Sequence, residues 1–386
     1  MGHNRIMQDP NSFSNFANRS SSKWLRYPEE VLPMHVAEMD FEVAKPIRDR
    51  LSQMVANSDL GYQGPFPEIG PAFEKFALNR WGWKIEPGGI KLATDVGVAA
   101  VEILKATTTP GEKVLINSPV YAAFFGWLKE AQCEPVDAPL QLDGDTWKLD
   151  LAAIREQFEN GVKVYLLCSP QNPVGRIHTA QELTEVAMMA QEFDVLVISD
   201  EIHAPLSWGP FTPYLSLGQQ AIETGVTITS SSKAWNTAGL KAGFLITQSD
   251  QVRKRLARLP DAMQWRSSIL GAHAMATAYE FGTPWLDEIV NTLQENLEHL
   301  RHEVATRLPK AKMFQMEATY LAWIDLEAYR ISDLANTILS EAKVSVNAGP
   351  DHSPGDDFQG FIRFNFASSK PRITEAVRRI SELCEG

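Results

Sequence analysis

Residues 226–244 read VTITSSSKAWNTAGLKAGF, a β-branched run followed by three serines, a lysine and a glycine-spaced exit. A lysine amine buried at a strand end is a nucleophile toward aldehydes, and hydroxyls just before it are placed to hold a phosphate. Lys233 with Ser230 and Ser232 therefore suggests pyridoxal phosphate, which carries both groups. Other turns carry matching residues. In TDVGVAA (94–100) a glycine lets the backbone N–H groups of Val96, Gly97 and Val98 approach a phosphate at a helix N-terminus. SPVY puts Tyr121 where its ring can stack on a pyridine. SPQNPVG (169–175) fixes Asn172 between two prolines, and SDEIH (199–203) sets Asp200 and His203 at the end of the run VLVIS. A carboxylate there needs a partner, because an unpaired buried charge is costly. A protonated pyridine nitrogen is such a partner, and the pair makes the ring an electron sink. Each piece alone has a plainer structural account: a surface lysine, a helix cap on Thr94 or Asp95, a core tyrosine, an ion pair.

The elements that must position these residues follow from pattern. From Ile90 onward, short β-branched runs (IKLAT, KVLIN, VYLLC, VLVIS, VTITS) alternate with helical spacing over 96–108, 120–131 and 180–193. This predicts an α/β fold, a mostly parallel sheet of about seven strands covered by helices, with ligands beyond the carboxyl ends of the strands. Before it, helices are expected over 44–57, with Pro46 in the first turn, and up to Trp81, separated by a turn-rich loop at 61–71 that presents Tyr62. After Asp250 come helices at 251–259, 268–281 and 285–308. Strands YLAWIDL, VSVNAG and FIRFNFA and helices 331–342 and 371–384 then complete a smaller α+β domain. The expected division is 1–49, an N-terminal arm and part of the small domain; 50–285, the large cofactor domain; and 286–386, the small C-terminal domain.

Composition narrows the function classes. With 36 basic against 48 acidic residues the net charge is -12, so the average surface repels nucleic acid and anionic membranes. A small-molecule substrate is expected, with neither nucleic acid nor membrane as partner. Cys133, Cys168 and Cys384 are too few and too scattered for a disulfide frame or zinc site, which fits a reducing cytoplasm. Residues 1–22 are polar and lack a signal-peptide core, and the start MGHNRI lacks the sixth-position hydroxyl of a myristoylation signal. No GxxxxGK[ST] loop or HExxH pair is present, and His299 and His302 lie on a helix rich in Glu and Arg that reads as a solvated face. No metal is expected.

The order Tyr121, Asn172, Asp200, Lys233 and Lys241 resembles the fold-type I pyridoxal phosphate enzymes, the aspartate aminotransferase superfamily, over essentially the whole chain after the arm. The resemblance implies that Lys233 bonds the cofactor, Asp200 pairs with its ring nitrogen, Asn172 binds its ring hydroxyl and Tyr121 stacks on it. It makes Ser230 and Ser232 phosphate ligands or close supports. Lys241 stands where many relatives have a phosphate-binding arginine, so it would act as a point charge. Arg363 matches the clamp on the substrate carboxylate, and Tyr62 the tyrosine that reaches across a homodimer with shared active sites. Within the superfamily, VLPMHVAEMDF (31–41) and His203 are similar to the MalY/PatB-like cystathionine beta-lyase group. His35, Glu38 and Pro205 depart from that group's tryptophan, aspartate and acid. They lie on the substrate side, where Glu38 and Asn172 join Arg363 as expected substrate contacts. The implied reaction is β-elimination from cystathionine or a similar cysteine thioether, giving pyruvate, ammonia and a thiol, with Tyr62 or Tyr121 as proton donor to the leaving sulfur. An aminotransferase is the alternative. A non-catalytic effector-binding regulator domain is a remoter one, since a polar arm supplies no DNA-binding module.

Overall fold

The β-branched runs pair into one seven-stranded sheet. Its strands are β1 (Ile90–Ala93), β2 (Lys113–Ile116), β3 (Glu134–Asp137), β4 (Val164–Cys168), β5 (Leu196–Asp200), β6 (Gly225–Thr229) and β7 (Gly243–Ile246), in the order β1-β7-β6-β5-β4-β2-β3. Neighbours are parallel except at β7, which runs antiparallel to both β1 and β6. This computed structural model describes residues 19–64, 66, 68–85 and 88–385, so residues 1–18 of the polar arm lie outside the described residues. β4 shows why both faces need cover. Val164, Leu166 and Cys168 enter one buried cluster while Tyr165 and Leu167 enter the other.

Helices α1 (Lys45–Ala56) and α2 (Ile69–Trp81) precede the sheet, and α3 (Val96–Thr107), α4 (Ala123–Glu130) and α5 (Ala180–Phe193) lie between its strands. The α3 and α4 side chains fill one cluster, those of α5 the other. α5 starts at a capping box in which Thr179 and Glu182 satisfy each other's backbone N–H groups. Further on, α6 (Ile269–Phe281) packs against α1 and α2, and α7 (Thr283–Arg307) packs against the terminal α8 (Lys370–Glu385). A smaller antiparallel sheet, ordered β8-β9-β11-β10, is made by β8 (Lys312–Met313), β9 (Leu321–Asp325), β10 (Asn347–Ala348) and β11 (Phe361–Asn365).

The structure corrects several expected elements. The glycine-spaced exit after Lys233 returns as β7, absent from the expected strands because three apolar residues after a glycine carry little periodic signal. β3 is likewise absent from the expected strands, for its half-exposed EPVD has no apolar run. VSVNAG is two pieces. Val344–Ser345 pairs in parallel with Leu32–Pro33, and Asn347–Ala348 joins the small sheet. The helix expected over 251–259 is Asp250–Arg255, and the one over 331–342 begins at Leu334 and widens into a π turn at Ile338–Ala342. Pro71 belongs to the first turn of α2, where its missing N–H costs no helical bond. Pro65 and Pro67 of the expected loop lie outside the described residues.

What positions the site is a stitch between the sheets. The segment 31–41 lies against the small sheet, with the Met34 N–H donating to Ser345 O (2.8 Å) and the Asn365 N–H to Met34 O (2.9 Å). The Asn365 amide reaches back to the carbonyls of Val36 (2.6 Å) and Glu38 (2.8 Å). On the other side Asn236, three residues after Lys233, accepts the Met39 N–H and donates to Met39 O. A buried Lys23–Asp40 ion pair at 2.6 Å, with Ser368 donating to Asp40, closes the end of the segment.

Candidate active site

β4, β5 and β6 end side by side, with Cys168 opposite Asp200 and Asp200 opposite Ile228. Beyond these ends lies a cavity of about 230 Å³. Of the residues singled out in the sequence, Val96, Gly97, Tyr121, Asn172, Asp200, His203, Ser232, Lys233 and Lys241 line it. They come from five separate stretches of chain, which only the strand-end geometry brings together.

Lys233 donates from Nζ to the Ala37 carbonyl at 3.2 Å, a group supplied by the stitched segment. Burial, helped by the Arg363 guanidinium, draws its ammonium down from 10.5 to about 8, against the opposing pull of Asp200 and Glu38. Asp200 is buried and one of its oxygens accepts the Ile202 N–H at 3.1 Å. Burial raises its carboxyl to about 7, although that N–H and Lys233 both favour the ionised form. Its neighbour Glu201 turns away from the cavity, accepting from Ser199 Oγ and the Tyr214 N–H, and burial raises it to about 8. Of the two acids in SDEIH, only Asp200 faces a ligand space.

His203 is buried with its ring edge-on to Tyr320 (centroids 6.1 Å apart), and burial depresses it to about 3, so it is neutral at physiological pH. Its Nδ1 has no hydrogen-bond partner among the described residues. Burial raises the Tyr121 hydroxyl, which keeps its proton. The Asn172 carbonyl oxygen accepts from Arg363 Nη1 at 3.2 Å, and Asn172 lines the cavity. Arg363 stands behind Asn172 and does not itself line the cavity. Its other nitrogen, Nη2, donates to His35 O (3.2 Å) and to Asn347 Oδ1 (2.6 Å), while Nε has no partner among the described residues.

Some expected contacts do not form in this way. The Val98 N–H is taken by Asp95 Oδ1 at 2.8 Å, so the helix cap and the anion site share one turn and only Val96 and Gly97 keep open N–H groups. Ser230 is a support: its hydroxyl donates to Ala242 O (2.6 Å) and accepts the Ser232 N–H (3.0 Å). Lys241 is held by Asp95 Oδ2 at 3.1 Å. The Glu38 carboxylate points to Ser21 Oγ (2.8 Å) and is not on the cavity wall. Tyr62 is 96% exposed and does not line the cavity of its own chain. The sequence reading also missed wall residues. Trp127 lies six residues after Tyr121, its ring edge-on at 5.8 Å, and Cys168 closes the wall with a thiol that burial keeps protonated. The one signal for Trp127 was the aromatic run it shares with Phe124 and Phe125 on a helix following a ligand turn.

The residues fit pyridoxal phosphate by their donor set. An amine drawn well below the ordinary lysine range and a buried carboxyl with one oxygen uncommitted share a single cavity. A glycine helix start and a lysine stand at the same wall, as a phosphate requires.

Residues 66–380 match the family described as Aminotransferase class I and II. A Mycobacterium tuberculosis protein, provisionally named a cystathionine beta-lyase, is 38% identical over 95% of this chain and 95% of its own. Cystathionine beta-lyase PatB of Bacillus subtilis is 32% identical, over 93% of this chain and 95% of its own. Among solved structures, a provisionally named PLP-dependent beta-cystathionase from Corynebacterium diphtheriae matches at a TM-score of 0.92 and 32% identity, covering 98% of this chain and 99% of that one.

Proposed function

The chain belongs to the aminotransferase class I and II family, and from that footing we propose that it is a pyridoxal-phosphate-dependent carbon–sulfur β-lyase. Its substrate is an amino acid, cystathionine or a similar cysteine thioether, which with water yields pyruvate, ammonia and a thiol. The observation that carries the reading is the Lys233 amine and the Asp200 carboxyl on one cavity wall, in a chain whose relatives are named for this reaction.

When bound, the cofactor supplies a carbonyl for the substrate amine and a sink for the electrons left when Cα loses its proton. Lys233 would hold it and, once released, take the Cα proton; a value near 8 suits a base working at neutral pH. Asp200 would hold the ring nitrogen, and Asn172 and His203 would orient the ring hydroxyl. Val96, Gly97, Ser232 and Lys241 would meet the phosphate, with Ser230 bracing that loop. Arg363 would bind the α-carboxylate, exchanging its present contacts with Asn172 and Asn347 for a bidentate pair. Tyr121, protonated and on the cavity wall, would give its proton to the departing sulfur.

The exposure of Tyr62, together with its place off its own cavity, supports a homodimer in which Tyr62 completes the neighbour's site. Pairing of Leu32–Pro33 with Val344–Ser345 supports the division in which part of 1–49 joins 286–386, with 50–285 as the large domain. No helix among the described residues is long and apolar enough to cross a membrane. The cytoplasm is the compartment we propose, for its reducing conditions suit three free thiols. Incubation with cystathionine and no keto acid tests the reaction. Pyruvate, ammonia and a free thiol are expected in equal amounts. Turnover that waits for a keto acid would make the enzyme an aminotransferase instead.

A further inference from the structure

Trp127 is the one large cavity-wall residue to which the reaction gives no task. Its indole is pressed against the start of α3: a Cβ added to Gly97 would fall 2.9 Å from Trp127 Nε1 and 3.1 Å from Cε2. The indole N–H has no acceptor in the protein among the described residues. Beside it are the N–H groups of Val96 and Gly97, which as the first two residues of the helix have no carbonyl to serve. β7 begins hard against the same turn, since a Cβ on Gly243 would lie 3.2 Å from Val96 N, and this brings Lys241 and Ala242 to the corner. The carboxylate there, Asp95, is already committed, one oxygen to the Val98 N–H and the other to Lys241. Three open N–H donors and an ammonium around a spoken-for carboxylate suit an anion with several oxygens.

We infer that Trp127 is a phosphate ligand, its indole N–H donating to the phosphate of the bound cofactor, and that Gly97 is glycine to leave room for that indole. This rests on the cofactor reading above. The competing role is packing, because the ring also meets Tyr121 at 5.8 Å and Phe124 at 5.1 Å between centroids. Packing would be served by any large ring.

Trp127→Phe separates the two, since it keeps an aromatic bulk and removes the donor. The holoenzyme is stripped by dialysis and rebinding is followed by absorbance, with pyridoxal phosphate and, in parallel, with pyridoxal, which lacks the phosphate. The variant should bind pyridoxal phosphate about tenfold or more weakly, the scale of one lost charge-assisted hydrogen bond, and bind pyridoxal within about twofold of the parent. Gly97→Ala, which pushes the indole aside and leaves it chemically intact, should give the same signature and serves if Trp127→Phe does not fold. Equal losses for both ligands, or a pyridoxal phosphate affinity within about twofold of the parent, overturn the assignment. A parent chain that does not bind pyridoxal phosphate overturns the functional reading and this one with it.

Discussion

The state of Lys233 can be tested by changing pH alone. Only the neutral amine attacks an aldehyde, and burial with Arg363 draws this ammonium from 10.5 to about 8. At pH 7 an amine titrating at 8 is neutral in about a tenth of molecules, and one at 10.5 in roughly three of ten thousand, so the protein raises the reactive fraction about 300-fold. The sign is that of a buried base: lowering the value helps capture everywhere below the ordinary lysine range and confers no gain above it. The full chain, freed of cofactor, is mixed with pyridoxal phosphate at a series of pH values, and the growth of the yellow colour is timed against a free lysine derivative in the same buffers. The rate should climb about tenfold per pH unit up to about 8 and then level, while the reference goes on rising to about 10.5. Because Asp200 holds the proton on and Arg363 drives it off, Asp200→Asn should move the midpoint lower and Arg363→Gln higher. A parent midpoint near 10, or shifts of the opposite sign, would refute the reasoning.

Asp200→Ala should still bind pyridoxal phosphate, held by the phosphate contacts and Lys233, yet lose turnover by orders of magnitude as the stabilisation of negative charge at Cα disappears; steady-state pyruvate release measures it, and near-normal rates remove Asp200 from the site. Arg363→Lys cannot form a two-pronged pair and should cost about 2 kcal/mol or more in kcat/KM, with an unchanged value placing the carboxylate clamp elsewhere. Lys23→Met removes the closer of two cations from the Asp40 carboxylate, whose side chain is only 3% exposed, and should destabilise the chain by about 3 kcal/mol, the low end for a broken buried pair because Arg372 Nη1 at 3.9 Å and the Ser368 hydroxyl remain. A chemical denaturation series checks this, and a loss below about 1 kcal/mol would mean the pair is as weak as a surface one.

The sheet and its chemistry were legible because strand ends advertise themselves. Asn172, Asp200 and Lys233 each follow a run of buried β-branched or leucine residues with a polar residue that a buried strand would otherwise exclude. Local chemistry could not show where a side chain turns after the backbone is placed. Glu38 sits in a motif that pointed to the substrate, yet it faces Ser21. Val98 follows a helix start that pointed to phosphate, yet its N–H serves the cap next to it. Both outcomes are settled by a partner within or beyond the turn that competes for the same group. The Lys23–Asp40 pair and the walling by Trp127 depend on distant packing, and no spacing rule reaches them.

The stitch that carries Ala37 to Lys233 also bears on biosynthesis. Its bonds join residues far apart along the chain: Lys233 to Ala37 across 196 positions, Asn236 to Met39 across 197, and Asn365 to Val36 across 329. A ribosome that has delivered the lysine and the whole seven-stranded sheet has not yet delivered Asn365, so the stitched segment has only half of its anchorage. The other half can form only once Asn365 has been made, and closing so long a loop carries an entropic cost. A product cut short ahead of Phe361 would carry the lysine, the acid and the phosphate turn without the strand that anchors the segment beside them.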